Sequence, residues 1–516
     1  MVCGTTSDAG KSHVTSGLCR VLARRGTKVA PFKAQNMALN SFVTTSGHEI
    51  GRAQAAQARA ARVEPEVAMN PILLKPTSDR TSQVVVRGQP WAQLSAAEYH
   101  TRKPELLALV MEDLADLRSR FDVVICEGAG SPTEINLLDH DIVNLRVAHD
   151  AGLPAIVVGD IDRGGVFAAL FGTVALLPSR YRRLVQGFVI NKLRGDPALL
   201  LDGCSQLEAA CGVPTLGVLP WLDDLALDAE DSLALHGRRP RPSGPALGDG
   251  LDVAVVRVPR ISNVTDLDAL SIEPGVAVRL VDDPAELGDP DLVVLPGSKS
   301  TVADLAWLRS RGFDRALTRF IERDEAGLVL GICGGYQQLG RWIVDDGVEA
   351  GPHDWDQAGS RPGKAGSPPG PGTVAGLGLL DVTTRFEATK VVRQRRGTCL
   401  GQSVDGYEIH HGRVERGDGT PAWVHLDDAA GAEEEGAVEP ERAVVLGTSL
   451  HGLFEADAFR AAFLSEVGRR RGKTFVPAGV SFAAAREAQI DALADLLEAH
   501  LDLDRLFALI ELGAPR

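Results

Sequence analysis

Two short runs hold residues whose types and spacing can do chemistry. Near the N-terminus, Gly4-Thr-Thr-Ser-Asp-Ala-Gly10-Lys11-Ser12 leads into an amphipathic stretch that ends at Arg24. Glycines let backbone N–H groups approach phosphate oxygens, and the helix N-terminus that follows adds a favourable dipole. In such a loop Gly4, Thr5, Thr6 and Gly10 cradle the phosphates of ATP, Lys11 neutralises the terminal ones and the Ser12 hydroxyl ligates magnesium. Far downstream, Leu328-Val-Leu-Gly-Ile-Cys333-Gly-Gly-Tyr-Gln-Gln-Leu reads as a strand, a cysteine, and glycines that open a helix. A thiol on that turn is held exposed as a nucleophile, and the N–H of Gly334 is placed to stabilise an oxyanion. The helix end favours the thiolate form. Cys19 and Cys126 lack such a setting and read as small core residues.

A thiolate needs a base, and six histidines follow Cys333. His451, in Val444-Val-Leu-Gly-Thr-Ser-Leu-His451-Gly-Leu-Phe, lies just past an apolar strand, where a catalytic histidine projects. His410 and His411 are its rivals, with local packing as their alternative role. Phe121-Asp-Val-Val-Ile-Cys126 ends in Glu127-Gly-Ala-Gly. A carboxylate at the C-terminal end of a parallel strand points into the nucleotide crevice, so Glu127 is the second expected magnesium ligand; the alternative is a solvated strand-end acid. Asp160-Ile-Asp162-Arg163 caps the next strand in the same way and could meet magnesium or substrate. Asn191-Lys192 resembles a base-reading dipeptide, though a plain turn reads equally well.

These residues must be positioned by alternating strands and helices. Apolar runs at 28–32, 121–126, 155–158, 187–190 and 215–219 alternate with helical patterns such as 104–120, which predicts a parallel sheet covered on both faces. Residues 237–250 are dense in proline and glycine and read as a linker. A second alternation begins with 253–258, 291–295 and 328–332, broken by low-complexity insertions at 351–372 and 427–441 that are expected to be exposed loops. Ile490, Leu493, Leu497 and Leu501 form one apolar stripe on a helical tail, expected to pack on the second domain. Only three residues precede Gly4, so either the chain starts upstream or its first strand is truncated.

Composition sets limits on function. A length of 516 residues exceeds one core, and 44 % apolar with 24 % charged residues is ordinary globular usage. No apolar run reaches membrane-spanning length and no signal segment opens the chain. Seven cysteines without a paired spacing suit a cytoplasmic enzyme rather than a disulfide framework or zinc site. A net charge of −15 argues against nucleic acid or an anionic membrane as partner. Residues 1–90 run the other way, with twelve Lys and Arg against five Asp and Glu, around the glycine loop. Lysine is scarce, ten against 44 arginines, and Lys11, Lys33, Lys75, Lys192 and Lys299 all sit beside turn signals.

Several of these motifs resemble known families. Five residues separate Gly4 from Gly10 where the usual loop has four, as in the dethiobiotin synthetase-like branch of P-loop enzymes. Gly-Ile-Cys333-Gly-Gly-Tyr-Gln with His451-Gly-Leu-Phe resembles the glutaminase domain of the cobyrinate-amidating glutamine amidotransferases, and Leu295-Pro-Gly-Ser-Lys-Ser300 resembles their oxyanion strand, which implicates Gly297. Ordinary triad amidotransferases carry a glutamate two residues after the histidine. Position 453 is leucine, so the resemblance implies a Cys333–His451 pair whose orienting partner is open. Ala30-Pro-Phe-Lys33-Ala-Gln-Asn36-Met-Ala-Leu-Asn40-Ser, Glu49-Ile-Gly-Arg-Ala-Gln-Ala, Met69-Asn-Pro-Ile-Leu-Leu-Lys75-Pro, Asp160-Ile-Asp-Arg-Gly-Gly-Val-Phe and Arg260-Ile-Ser-Asn-Val-Thr-Asp266 are similar to the branch of that family that forms cobyric acid, from residue 4 to about 460.

The resemblance implies an α/β chain. An N-terminal P-loop, dethiobiotin synthetase-like parallel-sheet domain (1–236) is joined through the 237–250 linker to a flavodoxin-like glutamine amidotransferase domain (251–460), with a helical tail at 461–516. It implies ATP- and glutamine-dependent amidation of the b, d, e and g carboxylates of adenosylcobyrinic acid a,c-diamide. Lys33 joins the ATP-binding residues, Asn36, Asn40, Lys75 and Asp160 contact the corrinoid, and no protein ligand to cobalt is expected. The alternatives are the a,c-diamide synthase, whose Phe-Lys pair is followed by a Gly-Pro-Asp-Tyr type run absent here, and a ParA-like switch ATPase with a binding-only second domain. The presence of both Cys333 and His451 opposes the switch.

Overall fold

The computed structural model describes residues 1–222, 247–323, 327–349, 372–427 and 431–513. They form two compact units: Met1–Ala38 with Ile50–Glu230 and Arg486–Arg516, and Leu39–Glu49 with Asp231–Ala485. Residues 39–49 thus fold with the second unit, although the expected boundary placed all of 1–236 in the first. Of the expected linker, residues 237–246 lie outside the described residues, as do 351–371 of the first low-complexity insertion.

In the first unit, short runs of valine and isoleucine are buried on both faces, which demands a parallel sheet with helices above and below. Val2–Gly4, Ala155–Asp160, Val185–Leu193 and Thr215–Pro220 pair in that order, all parallel. Val29–Phe32 pairs with Val123–Cys126, and a parallel bridge from Val2 to Glu127 joins this pair to the rest. Every expected strand is present. A small sheet of Gln35–Met37, Ile72–Pro76, Thr81–Val86 and Gln89–Ser95 was not foreseen. Its strands are polar or short, so their periodicity is weak. It leads into the helix Ala96–Arg120, which Ser95 and Glu98 start with a reciprocal capping box.

The tail departs from expectation. Ile490, Leu493, Leu497 and Leu501 are buried, and Ile490, Leu497 and Leu501 share one core cluster with Val14, Leu18 and Val21 of the helix Lys11–Arg24. Leu497 comes so near Gly17 that a Cβ there would meet its Cδ1 at 2.5 Å. Arg20 and Arg24 reach Glu487, Asp491 and Asp495 along the same seam. The stripe therefore closes the first unit rather than the second one. A hydrophobic stripe declares that a face is buried but not against which partner.

In the second unit the parallel strands lie in the order Val276–Val281, Leu251–Val256, Leu292–Leu295, Leu328–Ile332, Val445–Thr448, with Ala437–Val438 antiparallel at the edge. In chain order this is 2-1-3-4-5, the flavodoxin-like winding, whose functional groups gather at the C-terminal ends of the strands. A second sheet is built on the long hairpin Val382–Cys399 and Gln402–Arg416. The 427–441 insertion is not simply an exposed loop. Glu433–Glu435 pairs with Val424–Leu426, and the Glu435 side chain is buried. Acidic composition suggested solvent, but this carboxylate accepts from Thr448 Oγ1 at 2.7 Å and the Ser449 N–H at 2.6 Å.

Candidate active sites

Gly10 takes a left-handed φ of +97° at the start of the helix Lys11–Arg24. A side chain there would meet Asn191 Nδ2 at 2.1 Å, so only glycine fits. Asn191 Nδ2 donates to the Ala9 carbonyl at 2.9 Å, which puts this residue against the loop. Lys11 Nζ donates to the Thr6 and Ser7 carbonyls at 2.8 and 3.0 Å, inside the curve of the loop.

Glu127 is 1 % exposed at the end of its strand, so the solvated strand-end alternative does not hold. Its Oε1 accepts from Ser12 Oγ and Lys33 Nζ, both at 2.8 Å, and its Oε2 from Gln57 Nε2. A buried carboxylate is tolerable only when paired and hydrogen-bonded in this way. The two expected magnesium ligands converge, and the Gln57 amide that turns its nitrogen to Glu127 leaves a buried Oε1 with no hydrogen-bond partner among the described residues. A hydroxyl, a carboxylate and a spare amide oxygen are hard oxygen donors that suit magnesium. Gln57 was missed; its only signal was glutamine at 54 and 57, one turn apart on a buried helix.

Asp160 is salt-bridged to Lys192 at 2.7 Å, and its other oxygen caps the Asp162 N–H at 2.9 Å. Asn36 donates to Gln54 at 3.0 Å, and Lys75 is buried in the strand Ile72–Pro76. Asn40 belongs to the second unit, where its Oδ1 accepts from the Val264 N–H at 3.2 Å. Cys19 and Cys126 are fully buried, and burial pushes both thiols up, Cys126 to about 11, as befits core residues.

The second site stands where two parallel strands end side by side. Cys333 follows Leu328–Ile332 with φ +49° and ψ −106°, a strained geometry for a residue with a side chain. Its N–H donates to the carbonyl of Thr448, the last residue of the neighbouring strand, at 2.7 Å. Glycines make the elbow possible: a Cβ on Gly335 would lie 2.0 Å from the Leu295 carbonyl, and one on Gly334 2.7 Å from the Ser298 nitrogen. The Gly297–Ser298 segment is thereby pressed against the elbow. Ser298 Oγ donates to buried Asp304 at 2.6 Å, and burial pushes that carboxyl up to about 7. A Cβ on Gly297 would come 3.1 Å from His451 Cε1, so Cys333, Gly334, Gly297 and His451 are brought together.

His451 is fully buried, and its Nδ1 bonds Asp266 Oδ2 at 2.7 Å, while Asp266 Oδ1 accepts from the Gly452 N–H at 2.8 Å. The orienting group left open by Leu453 is therefore an aspartate 185 residues upstream. It ends the run Arg260-Ile-Ser-Asn-Val-Thr-Asp266, which carried the resemblance without a role being given to its last residue. Nε2 is buried outside ordinary hydrogen-bond geometry, and Cys333 acts on the ring as a second nearby acid. Burial pushes the imidazole down, but Asp266 and then Cys333 outweigh it and raise its pKa to about 10. Tyr407 stacks on the ring with centroids 5.3 Å apart.

The rivals are otherwise engaged. His410 Nδ1 bonds the Gly412 carbonyl at 2.7 Å and its Nε2 faces Glu408 at 3.3 Å. His411 is pushed down to about 4 by burial and by the lysines Lys299 and Lys390.

A parallel-sheet unit with a phosphate-type loop, joined to a flavodoxin-like unit whose cysteine elbow faces a held histidine, defines a glutamine amidotransferase with a nucleotide-binding unit. Residues 1–234 match the CobQ/CobB/MinD/ParA nucleotide binding domain family, and 252–459 match the CobB/CobQ-like glutamine amidotransferase domain family. The chain is 54 % identical to a cobyric acid synthase of Rhodococcus jostii, over 100 % of this chain and 96 % of that protein. The cobyric acid synthases of Nocardia farcinica and Saccharopolyspora erythraea are 53 % and 54 % identical, each over 100 % of this chain and 97 % and 95 % of theirs. The chain belongs to the cobyric acid synthase family. It is an enzyme, an amide ligase of cobalamin biosynthesis with a nucleotide-binding domain. Among the described residues no helix is long and apolar enough to cross a membrane.

Proposed function

We propose that the enzyme converts the b, d, e and g carboxylates of adenosylcobyrinic acid a,c-diamide to amides, using ATP and ammonia released from glutamine, in the cytoplasm. The observation that carries the reading is the Cys333–His451–Asp266 arrangement on a chain that also bears the Lys11–Ser12–Glu127 cluster. Hydroxide is too poor a leaving group for direct amidation. The γ-phosphoryl group therefore passes from ATP to a carboxylate oxygen, giving ADP and an acyl phosphate, and ammonia attacks that carbonyl and expels phosphate.

Lys11, with the N–H groups of the Gly4–Gly10 loop, binds and orients the phosphates. Ser12 and Glu127 would hold magnesium, which neutralises charge on the transferring group. Lys33 supplies a further cation, and Asn36, Lys75 and Asp160 are the proposed contacts to the polycarboxylate. In the second unit the Cys333 thiolate attacks the glutamine amide carbon, and His451 protonates the departing amine. Ammonia leaves a glutamyl thioester, and water then hydrolyses it with His451 as base. The Gly297 and Gly334 backbone is the proposed oxyanion cradle.

Incubation with ATP, magnesium, glutamine and the a,c-diamide, with amides counted by mass spectrometry, tests the reading. Four carboxyl-to-amide conversions are expected. Inertness toward the a,c-diamide with two conversions of cobyrinic acid would favour the diamide synthase. ATP hydrolysis with no glutamine hydrolysis would favour the switch.

A further inference from the structure

The segment Leu39–Glu49 comes from the N-terminal half of the sequence yet folds within the amidotransferase unit. We infer that Asn40 and Ser41 are positioning residues of the glutaminase centre, holding both the loop that carries Asp266 and the tyrosine that stacks on His451. This rests on the reading of Cys333, His451 and Asp266 as the glutaminase.

Both residues are fully buried. Asn40 Oδ1 accepts from the Val264 N–H at 3.2 Å, and the Ser41 N–H donates to Asn263 Oδ1 at 2.9 Å. Asn263 is a non-glycine residue at φ +51°, and its carbonyl accepts from the Asp266 N–H at 3.0 Å. Two adjacent residues thus grip two adjacent residues of the turn that presents Asp266.

The second grip runs through Tyr407. Its hydroxyl donates to the Ser41 carbonyl at 3.1 Å. Its backbone exchanges hydrogen bonds with His451 in both directions, at 3.0 and 2.9 Å, and its ring stacks on the imidazole. The segment is itself held. Ser41 Oγ donates to Glu49 at 2.8 Å, Glu49 pairs with Lys390 in a buried ion pair, and Gln394 Nε2 donates to the Val43 carbonyl at 2.9 Å. Val43 packs with Tyr407 and Ile409 in one small apolar cluster. Asn40, expected from its motif to face the corrinoid, instead has its carbonyl oxygen committed to the loop behind the catalytic histidine.

The groups that face the His451 ring are Asp266 from the loop, Cys333 from the elbow and Tyr407 from the hairpin, with Glu435 behind on Thr448 and Ser449. Loosening the Asp266 loop should free the imidazolium to deprotonate at lower pH. In the full-length enzyme, Asn40→Leu should lower glutaminase kcat/KM by about tenfold, the worth of one buried hydrogen bond, and move the alkaline limb of its pH profile to lower pH. Synthesis from ammonium salt and its KM for the carboxylate substrate should stay within about twofold. In an Asp266→Asn background the same change should cost nothing further, because it acts through that residue.

Tyr407→Phe removes one hydroxyl, keeps the stacked ring and should show the same shift more weakly. It decides the matter if Asn40→Leu does not fold. An unchanged glutaminase profile in Asn40→Leu, or in Tyr407→Phe where that variant decides, would overturn the inference. So would loss of ammonia-driven synthesis with a raised substrate KM, the mark of a corrinoid contact. Equal glutamine hydrolysis by wild type and Cys333→Ala would sink the underlying glutaminase reading instead, and is recognised separately.

Discussion

Burial alone would push the His451 imidazole down, yet Asp266 at 2.7 Å and the Cys333 thiol outweigh it and hold the pKa at about 10. A raised histidine stays charged through neutral pH and loses its proton as pH rises through the folded value. Glutaminase activity that depends on the imidazolium should therefore hold near neutrality and fall toward pH 10. The stability the pair contributes should be complete below the ordinary histidine value and be lost over the same rise. Asp266→Asn should bring the alkaline limb back toward that ordinary value and lower the rate by about 10²–10⁴, the range for a disturbed acid–base group; an unmoved pH profile would make Asp266 merely structural. His451→Ala should cost more glutaminase activity than His410→Ala, whose ring already spends both nitrogens on Gly412 and Glu408. At the other site, Glu127→Gln removes the carboxylate that meets Ser12 and Lys33, the proposed anionic ligand of magnesium. The magnesium concentration for half-maximal synthesis should rise, and titration of the ammonia-driven reaction measures it.

Elements hold these groups by close approach as much as by hydrogen bonding. The helix Gly334–Leu339 sits so tightly on the strand Val445–Thr448 that a Cβ on Gly447 would fall 1.9 Å from Tyr336 Cδ2. Both are packed parts with no room to yield, so Gly447→Ala should destabilise the second unit by about 1–3 kcal/mol. The same change should damage glutaminase more than ammonia-driven synthesis, because the Cys333 N–H is tied to Thr448 on that strand. From Arg486 onward the helix Phe482–His500 belongs to the first unit. Leu497 is 1 % exposed within the core that includes the Lys11–Arg24 helix, so Leu497→Ala should cost about 2–5 kcal/mol. Denaturant melts should show this loss together with weakened nucleotide binding. An effect confined to glutaminase would instead restore the stripe to the second unit.

The chain as a whole carries a nucleotide-binding domain and a glutamine amidotransferase domain and folds as two compact units. Cys333→Ala should abolish glutamine-dependent amidation but retain synthesis from ammonium salt, better at high pH because free NH₃ is the nucleophile. A folded variant that binds ATP yet cannot use ammonia at any pH would show that the thiol serves more than ammonia supply. Conversely, Lys11→Ala should lose synthesis from either nitrogen source while basal glutaminase persists, since Lys11 lies inside the Thr6–Ser7 curve of the first unit. Parallel assays of glutamate release and amide formation read both outcomes.

The glycine loop, the cysteine elbow and the histidine after its strand were legible in the amino-acid sequence because each is a local motif. Strand, turn and helix succeed one another within a dozen residues, and their chemistry follows from that spacing. The parallel sheet was legible for a related reason, since short buried β-branched runs alternating with helices fit a sheet covered on both faces, while the order of its strands came from the structure. Partners set by distance were not. Asp266 meets His451 across 185 positions, and the aspartate in its motif had no local feature to mark it as the orienting acid. The apolar stripe of 490–501 announced a buried face, but only tertiary packing assigned it to the Lys11–Arg24 helix. Asn40 kept its place in a motif of the nucleotide half while the fold carried its side chain to the turn beside Asp266. Spacing encodes what neighbours along the chain can do together; burial and long-range hydrogen bonding, which arise only when the chain has closed, decide what each of them touches.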